Sequence, residues 1–172
     1  MNELLNKYPQ EIERILAKYP ANAAGRQAAV MPLLYLAQRE QNYLSKQSIQ
    51  EVAEIAGISS TDVDSVAGFY TLFHEEPGGR YRLQVCTDMP CALRGAEQFF
   101  RDLCAALGVQ PGETTPDGLF LVEEVKCMAA CHRAPMMQVQ GDGDIAYHEH
   151  LTVEKAMQVI EMLRERAAKE AK

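Results

Sequence analysis

The chain has 172 residues, of which 47% are apolar and 24% charged, and its net charge is −7. That composition supports one medium or two small packed domains, and its sign disfavours nucleic acid and anionic membrane surfaces as partners. No segment approaches the roughly 20 apolar residues that cross a bilayer, and the N-terminal Met1-Asn2-Glu3-Leu4-Leu5-Asn6-Lys7 resembles neither a secretory signal nor a mitochondrial presequence, so the chain reads as cytoplasmic and bacterial.

The first seventy or so residues read as helical. Glu3 to Tyr19 carries Leu4, Leu5, Ile12, Ile15 and Leu16 at helical spacing and is broken at Pro9. A second helix is expected from about Arg26 to Asn42, with Pro32 kinking it or delaying its start. Ile49 to Ala56 predicts a third that stops at Gly57. Ser59, followed three residues later by Asp62, opens a fourth towards Phe73. Four short helices imply a small bundle.

Pro77-Gly78-Gly79 breaks this pattern, which sets domains at residues 1–77 and 78–172. Beyond the break the hydrophobic period changes. Arg80 to Val85 alternates as a strand, and Ala92 to Leu107 follows as a helix with Leu93, Phe100, Leu103 and Leu107 on one side. After the turn Pro116-Asp117-Gly118, a second strand is expected from Leu119 to Val125. Met136 to Val139 and Ile145 to Tyr147 flank Gly141-Asp142-Gly143, a hairpin signal. Thr152 can cap a last helix striped with Val153, Met157, Ile160 and Leu163. The fold class is therefore α+β or α/β, a helical bundle followed by a small sheet packed by helices.

Five cysteines in a cytosolic chain argue for metal or redox use rather than a disulfide framework. Cys86 and Cys91 form C-x4-C directly after one strand, and Cys127 and Cys131 form C-x3-C directly after another. If those strands are parallel neighbours, both loops leave the same edge of the sheet, where ligands of α/β folds bind. Spacing alone leaves open a structural four-cysteine zinc site, a [2Fe–2S] cluster with two thiolates on each iron, and a thiol–disulfide couple, although the last favours C-x-x-C. The flanking Thr87-Asp88-Met89-Pro90 and Met128-Ala129-Ala130 are small or apolar and free of positive charge. They can fold closely over a cluster and aim backbone N–H groups at its sulfurs, which favours iron–sulfur.

The stretches Val85-Cys86-Thr87-Asp88-Met89-Pro90-Cys91-Ala92-Leu93-Arg94-Gly95 and Glu124-Val125-Lys126-Cys127-Met128-Ala129-Ala130-Cys131-His132-Arg133-Ala134-Pro135 resemble the thioredoxin-like [2Fe–2S] subunit family of NADH:quinone oxidoreductase, respiratory complex I. The likeness continues upstream through Pro32-Leu33-Leu34, Ala37-Gln38 and Phe69-Tyr70-Thr71-Leu72-Phe73. It implies a thioredoxin-like domain over residues 78–172, one [2Fe–2S] cluster on Cys86, Cys91, Cys127 and Cys131, and no catalytic residue in this chain. It also implies a partner subunit that binds FMN and NADH, further complex I subunits, and a peripheral place on the inner face of the plasma membrane. The same module occurs in NAD-linked hydrogenases and formate dehydrogenases. Two positions depart from the family pattern, with Ala129 where Gly is usual and Arg133 where Asn is usual. The chain has no G-x-G-x-x-G and no Walker motif, so nothing in its sequence suggests a nucleotide site of its own.

Other residues have plainer readings. Cys104 falls near Phe100 and Leu107 and reads as a buried structural thiol. His132 as a Rieske-like ligand would need a second histidine and fewer cysteines. His74, His148 and His150 are expected in polar loops, the last two able at most to bind metal weakly. Residues 47–69 resemble a helix-turn-helix, but Asp62 and Asp64 without Lys or Arg carry the wrong sign for phosphate. Residues 1–75 read as a docking element, with Leu33, Leu36, Phe69 and Phe73 to bury. The alternating charges from Arg164 to Lys172 read as a solvated helix end.

Overall fold

A computed structural model describes residues 2–170. The chain forms two compact units, Met1–Pro77 and Gly78–Lys172.

Among the described residues of the first unit there are six helices rather than four. Pro9 starts a new helix, giving α1 (Glu3–Lys7) and α2 (Pro9–Leu16). The stretch expected as one helix from Arg26 is also two, α3 (Ala23–Ala28) and α4 (Val30–Gln41). Pro32 lies in the first turn of α4, where its missing N–H costs no helical hydrogen bond. Helix α5 (Lys46–Ala56) begins earlier than expected because the Ser45 side chain accepts from Ser48 N–H, and it stops at left-handed Gly57. The Ser59 hydroxyl accepts from Asp62 N–H at 3.1 Å and opens α6 (Ser60–Phe69). That helix ends four residues short of Phe73, because Tyr70 is extended and Phe73 folds back onto Tyr35 with ring centroids 4.8 Å apart. Leu33, Leu36 and Phe73 are buried in this unit's own core, whereas Phe69 is 77% exposed.

The second unit is a four-stranded sheet built from β1 (Tyr81–Cys86), β2 (Phe120–Val125), β3 (Met137–Gly141) and β4 (Asp144–His148), in the order β2-β1-β3-β4. Strands β1 and β2 are parallel, registered from Tyr81 opposite Phe120 to Cys86 opposite Val125. The β1–β3 and β3–β4 pairs are antiparallel. Tyr81, Leu83, Val85, Phe120, Val122 and Met137 supply the sheet's part of the core, against α8 (Ala96–Leu107) and α9 (Val153–Glu170).

The helix expected from Ala92 is interrupted. A short α7 (Met89–Ala92) ends before Gly95, whose φ of +88° is open to glycine at little cost, and α8 starts afresh. Leu93 is therefore 85% exposed, and the buried stripe consists of Phe99, Phe100, Leu103 and Cys104. The hairpin turn is Asp142-Gly143, both at positive φ as a two-residue hairpin requires. His148 stands at the end of β4 rather than in a loop, and burial lowers its pKa.

The C-terminal helix end is largely exposed, as expected, and also carries ion pairs to the rest of its unit. Ala167 is buried, Arg164 pairs with Asp117 at 3.3 Å, Arg166 with Asp142 at 3.5 Å, and Glu170 with Arg80. Residues 171 and 172 of that tail lie outside the described residues.

Candidate metal centre

The parallel register positions both cysteine pairs. Cys86 is the last residue of β1 and lies opposite Val125, the last residue of β2, so the two following loops leave the same edge. Thr87 N–H donates to the Val125 carbonyl at 3.1 Å and carries the pairing one step beyond the strands. After β1 the chain turns at Asp88 into α7, which carries Cys91. After β2, Cys127 and Ala129 take left-handed conformations, φ +48° and +56°, and a single 3-10 turn, Cys131–Arg133, follows. Both positive angles are strained for residues with a Cβ.

These turns bring the thiols together. Cys86 is within hydrogen-bonding reach of Cys91, and Cys91 of Cys131. Cys86 and Cys91 are each 1% exposed, Cys131 is half-buried and Cys127 faces solvent. Packed with them is an apolar floor of Ala96, Ala130, Ala134 and Met136. The surrounding loop is fixed from outside, because His150 N–H donates to the Arg133 carbonyl at 2.8 Å and Leu151 N–H to the Pro135 carbonyl at 2.9 Å.

The environments divide the thiols. Burial pushes Cys86 upward, but backbone N–H groups of Asp88, Met128 and Cys127 and the Cys91 thiol outweigh it and hold Cys86 below its ordinary value. Cys91 is pushed up to about 12, first by burial and then by Cys86 and Cys131. Cys104, on α8 and buried in the sheet core, is raised by burial alone and stands apart from the four.

Two cations beside the cysteines, Lys126 and Arg133, carry acidic partners that sequence reading missed. Lys126 hydrogen-bonds to Glu124 and to the Thr87 hydroxyl, the latter at 2.9 Å. Arg133 donates to both Glu149 oxygens, 2.7 and 2.6 Å away. Glu124 stands two residues before Lys126 and was legible as a neighbour on the same side of an extended chain, whereas nothing local marks Glu149. His132 Nε2 accepts from Arg133 Nε at 2.9 Å, so that nitrogen is engaged by the guanidinium.

The donor chemistry, four thiols with inward-pointing amides over an apolar floor, fits a group that takes four thiolates.

A family model for the thioredoxin-like [2Fe–2S] ferredoxin matches residues 12–164. NADH-quinone oxidoreductase subunit 2 of Thermus thermophilus is 44% identical over 131 residues, covering 76% of this chain and 71% of its own. An NADH-quinone oxidoreductase subunit of Rhizobium meliloti is 42% identical over 155 residues, covering 90% and 88%. An NAD+-reducing [NiFe]-hydrogenase shares the fold, with a TM-score of 0.62 at 22% identity over 78% of this chain, which spans only 23% of the hydrogenase chain. With a family model matching most of its length and relatives above 40% identity, the chain belongs to the thioredoxin-like [2Fe–2S] ferredoxin family, alongside subunits of NADH-quinone oxidoreductase.

Proposed function

We propose that this chain is an electron-transfer subunit of an NADH-quinone oxidoreductase, holding one [2Fe–2S] cluster on Cys86, Cys91, Cys127 and Cys131. The observation that carries this reading is the parallel β1–β2 register, which sends both cysteine loops from one sheet edge. When bound, such a cluster supplies one-electron redox chemistry. The chain's own residues bind and insulate. The four sulfurs ligate, the amides of Asp88, Cys127 and Met128 offset negative charge on Cys86, and Ala96, Ala130, Ala134 and Met136 exclude water from the apolar side.

FMN and NADH belong to a partner subunit in this reading, and the chain receives single electrons from the reduced flavin. The bundle over residues 1–77 is the docking element and residues 78–172 are the redox domain. The assembly sits on the inner face of the plasma membrane, held there by other subunits. Among the described residues no helix is long and apolar enough to cross a membrane. A second reading, which the family resemblance implies, is the same module serving an NAD-linked hydrogenase or formate dehydrogenase.

The test is a visible spectrum of the purified chain with iron, acid-labile sulfide and zinc assays. About two irons and two sulfides per chain, with visible absorption, are expected. A colourless protein holding one zinc would replace this reading with a non-redox structural site.

A further inference from the structure

Of the three amides that reach the Cys86 sulfur, those of Cys127 and Met128 belong to the other cysteine loop. Their reach depends on the spacing between the two loops, because a hydrogen bond weakens once donor and acceptor part beyond their normal range. The backbone ladder holds that spacing as far as Thr87 N–H and the Val125 carbonyl, 3.1 Å apart. Two residues after Val125, Cys127 turns to φ +48° and leaves the strand conformation. Past that point the loops are joined through side chains. Thr87 follows Cys86 and Lys126 precedes Cys127, and the parallel register, carried one step further, sets them opposite each other. Thr87 is only 5% exposed. Its hydroxyl donates to the Glu124 carboxylate and accepts from Lys126 Nζ at 2.9 Å, while Lys126 also reaches Glu124. A carboxylate can only accept and an ammonium can only donate, whereas a hydroxyl does both.

We propose that Thr87 is a positioning residue, whose hydroxyl ties the first cysteine loop to the second so that the Cys127 and Met128 amides stay on Cys86. Glu124 and Lys126 are exposed, and an exposed ion pair by itself contributes little. The buried hydroxyl makes that pair a cross-loop link, because it is attached to the residue next to Cys86 and bonded to both partners on the other strand. Its purpose rests on the four-cysteine cluster reading: ligand loops already held at the right spacing spend less ordering entropy when the cluster binds. The tie itself belongs to the polypeptide and is measurable whatever the cysteines hold.

Thr87→Val keeps the branched shape and removes both bonds, and Thr87→Ser keeps the hydroxyl. Amide hydrogen exchange on the full chain as purified should be about fivefold faster at Cys127 and Met128 in Thr87→Val, with the amides of β1 and β3 unchanged. Thr87→Ser should exchange like the unaltered chain. Iron release from the loaded chain to a chelator should quicken by a similar factor in Thr87→Val alone. Faster exchange throughout the second unit would make Thr87 a general stabiliser and overturn the proposal, as would unaltered rates in Thr87→Val or Val-like rates in Thr87→Ser. If the chain as purified holds no iron and sulfide, the cluster reading fails, and the exchange comparison still decides whether Thr87 ties the loops.

Discussion

Arg133 and Glu149 form a two-pronged ion pair, 2.7 and 2.6 Å from guanidinium nitrogen to each carboxylate oxygen, two residues from Cys131. A cation beside an anionic cluster favours the added electron, and here its acid partner cancels most of that help. Glu149→Gln should therefore raise the midpoint potential and Arg133→Ala should lower it. A unit charge at about 8 Å in water-like surroundings is worth about 0.5 kcal/mol, or roughly 20 mV for one electron. Redox titration followed by paramagnetic resonance measures both shifts, and equal potentials in the two variants would contradict this account.

Ala129 supplies a second prediction. At φ +56° its Cβ is strained in a way that glycine is not. Ala129→Gly should stabilise the chain by about 1 kcal/mol, less what glycine adds to unfolded-state entropy. Denaturant unfolding decides it, and a lower midpoint would mean the surrounding loop accommodates alanine without cost.

Single replacement of Cys86, Cys91, Cys127 or Cys131 by Ser should abolish or destabilise iron binding. Cys104→Ser should keep the visible spectrum and cost only modest stability, since that thiol packs in the sheet core. Bleaching by the Cys104 change alone would reverse the ligand assignment.

Asp142 joins the hairpin turn to both ends of the second unit. It accepts from Arg80 at 2.7 Å and Tyr81 at 2.6 Å and faces Arg166 at 3.5 Å. Burial would raise its carboxyl, but those hydrogen bonds and charges prevail and hold it below the usual carboxylate range. The stabilisation is therefore complete above the unfolded-state pKa of about 3.9 and disappears as pH falls through the lower folded value. Asp142→Asn should cost about 1–3 kcal/mol near neutrality, and the gap should close in acid. Thermal melts across pH would show it.

The lone chain should not oxidise NADH, because hydride carries two electrons and the chain has no nucleotide-cradling motif. NADH added to the purified protein should leave its visible and paramagnetic resonance spectra unchanged until the flavin subunit is supplied. Prompt reduction without a flavoprotein would end the proposed division of labour.

Local chemistry made much of this architecture legible. Ser59 with Asp62, Gly57, and the Asp142-Gly143 turn each fix their own neighbourhood, and all three stand where their residue types demand. Strand periodicity placed β1 and β2 within a residue or so, and with them the cysteine loops. Features that depend on distant partners were not legible. Pro32 is compatible with either a kink or a first turn, and the Asn22 cap, which starts a separate helix before it, decides for the turn. Leu93 looks like a core residue until left-handed Gly95 turns the next helix away. The charges of the last helix are exposed as their alternation suggests, but their ion pairs with Asp117, Asp142 and Arg80, from elsewhere in the chain, were not legible.

The alignment of Cys86 with Val125 also sets a timetable for biosynthesis. The second cysteine pair is synthesised only after α8 and β2, and the loop bearing it is tied down by His150 and Leu151, nearer still to the C-terminus. A nascent chain emerging from the ribosome thus offers two thiols long before it can offer four in position. Iron and sulfide must be delivered to a nearly complete polypeptide, and truncation anywhere before residue 151 leaves the second pair of cysteines either missing or without the contacts that hold its loop.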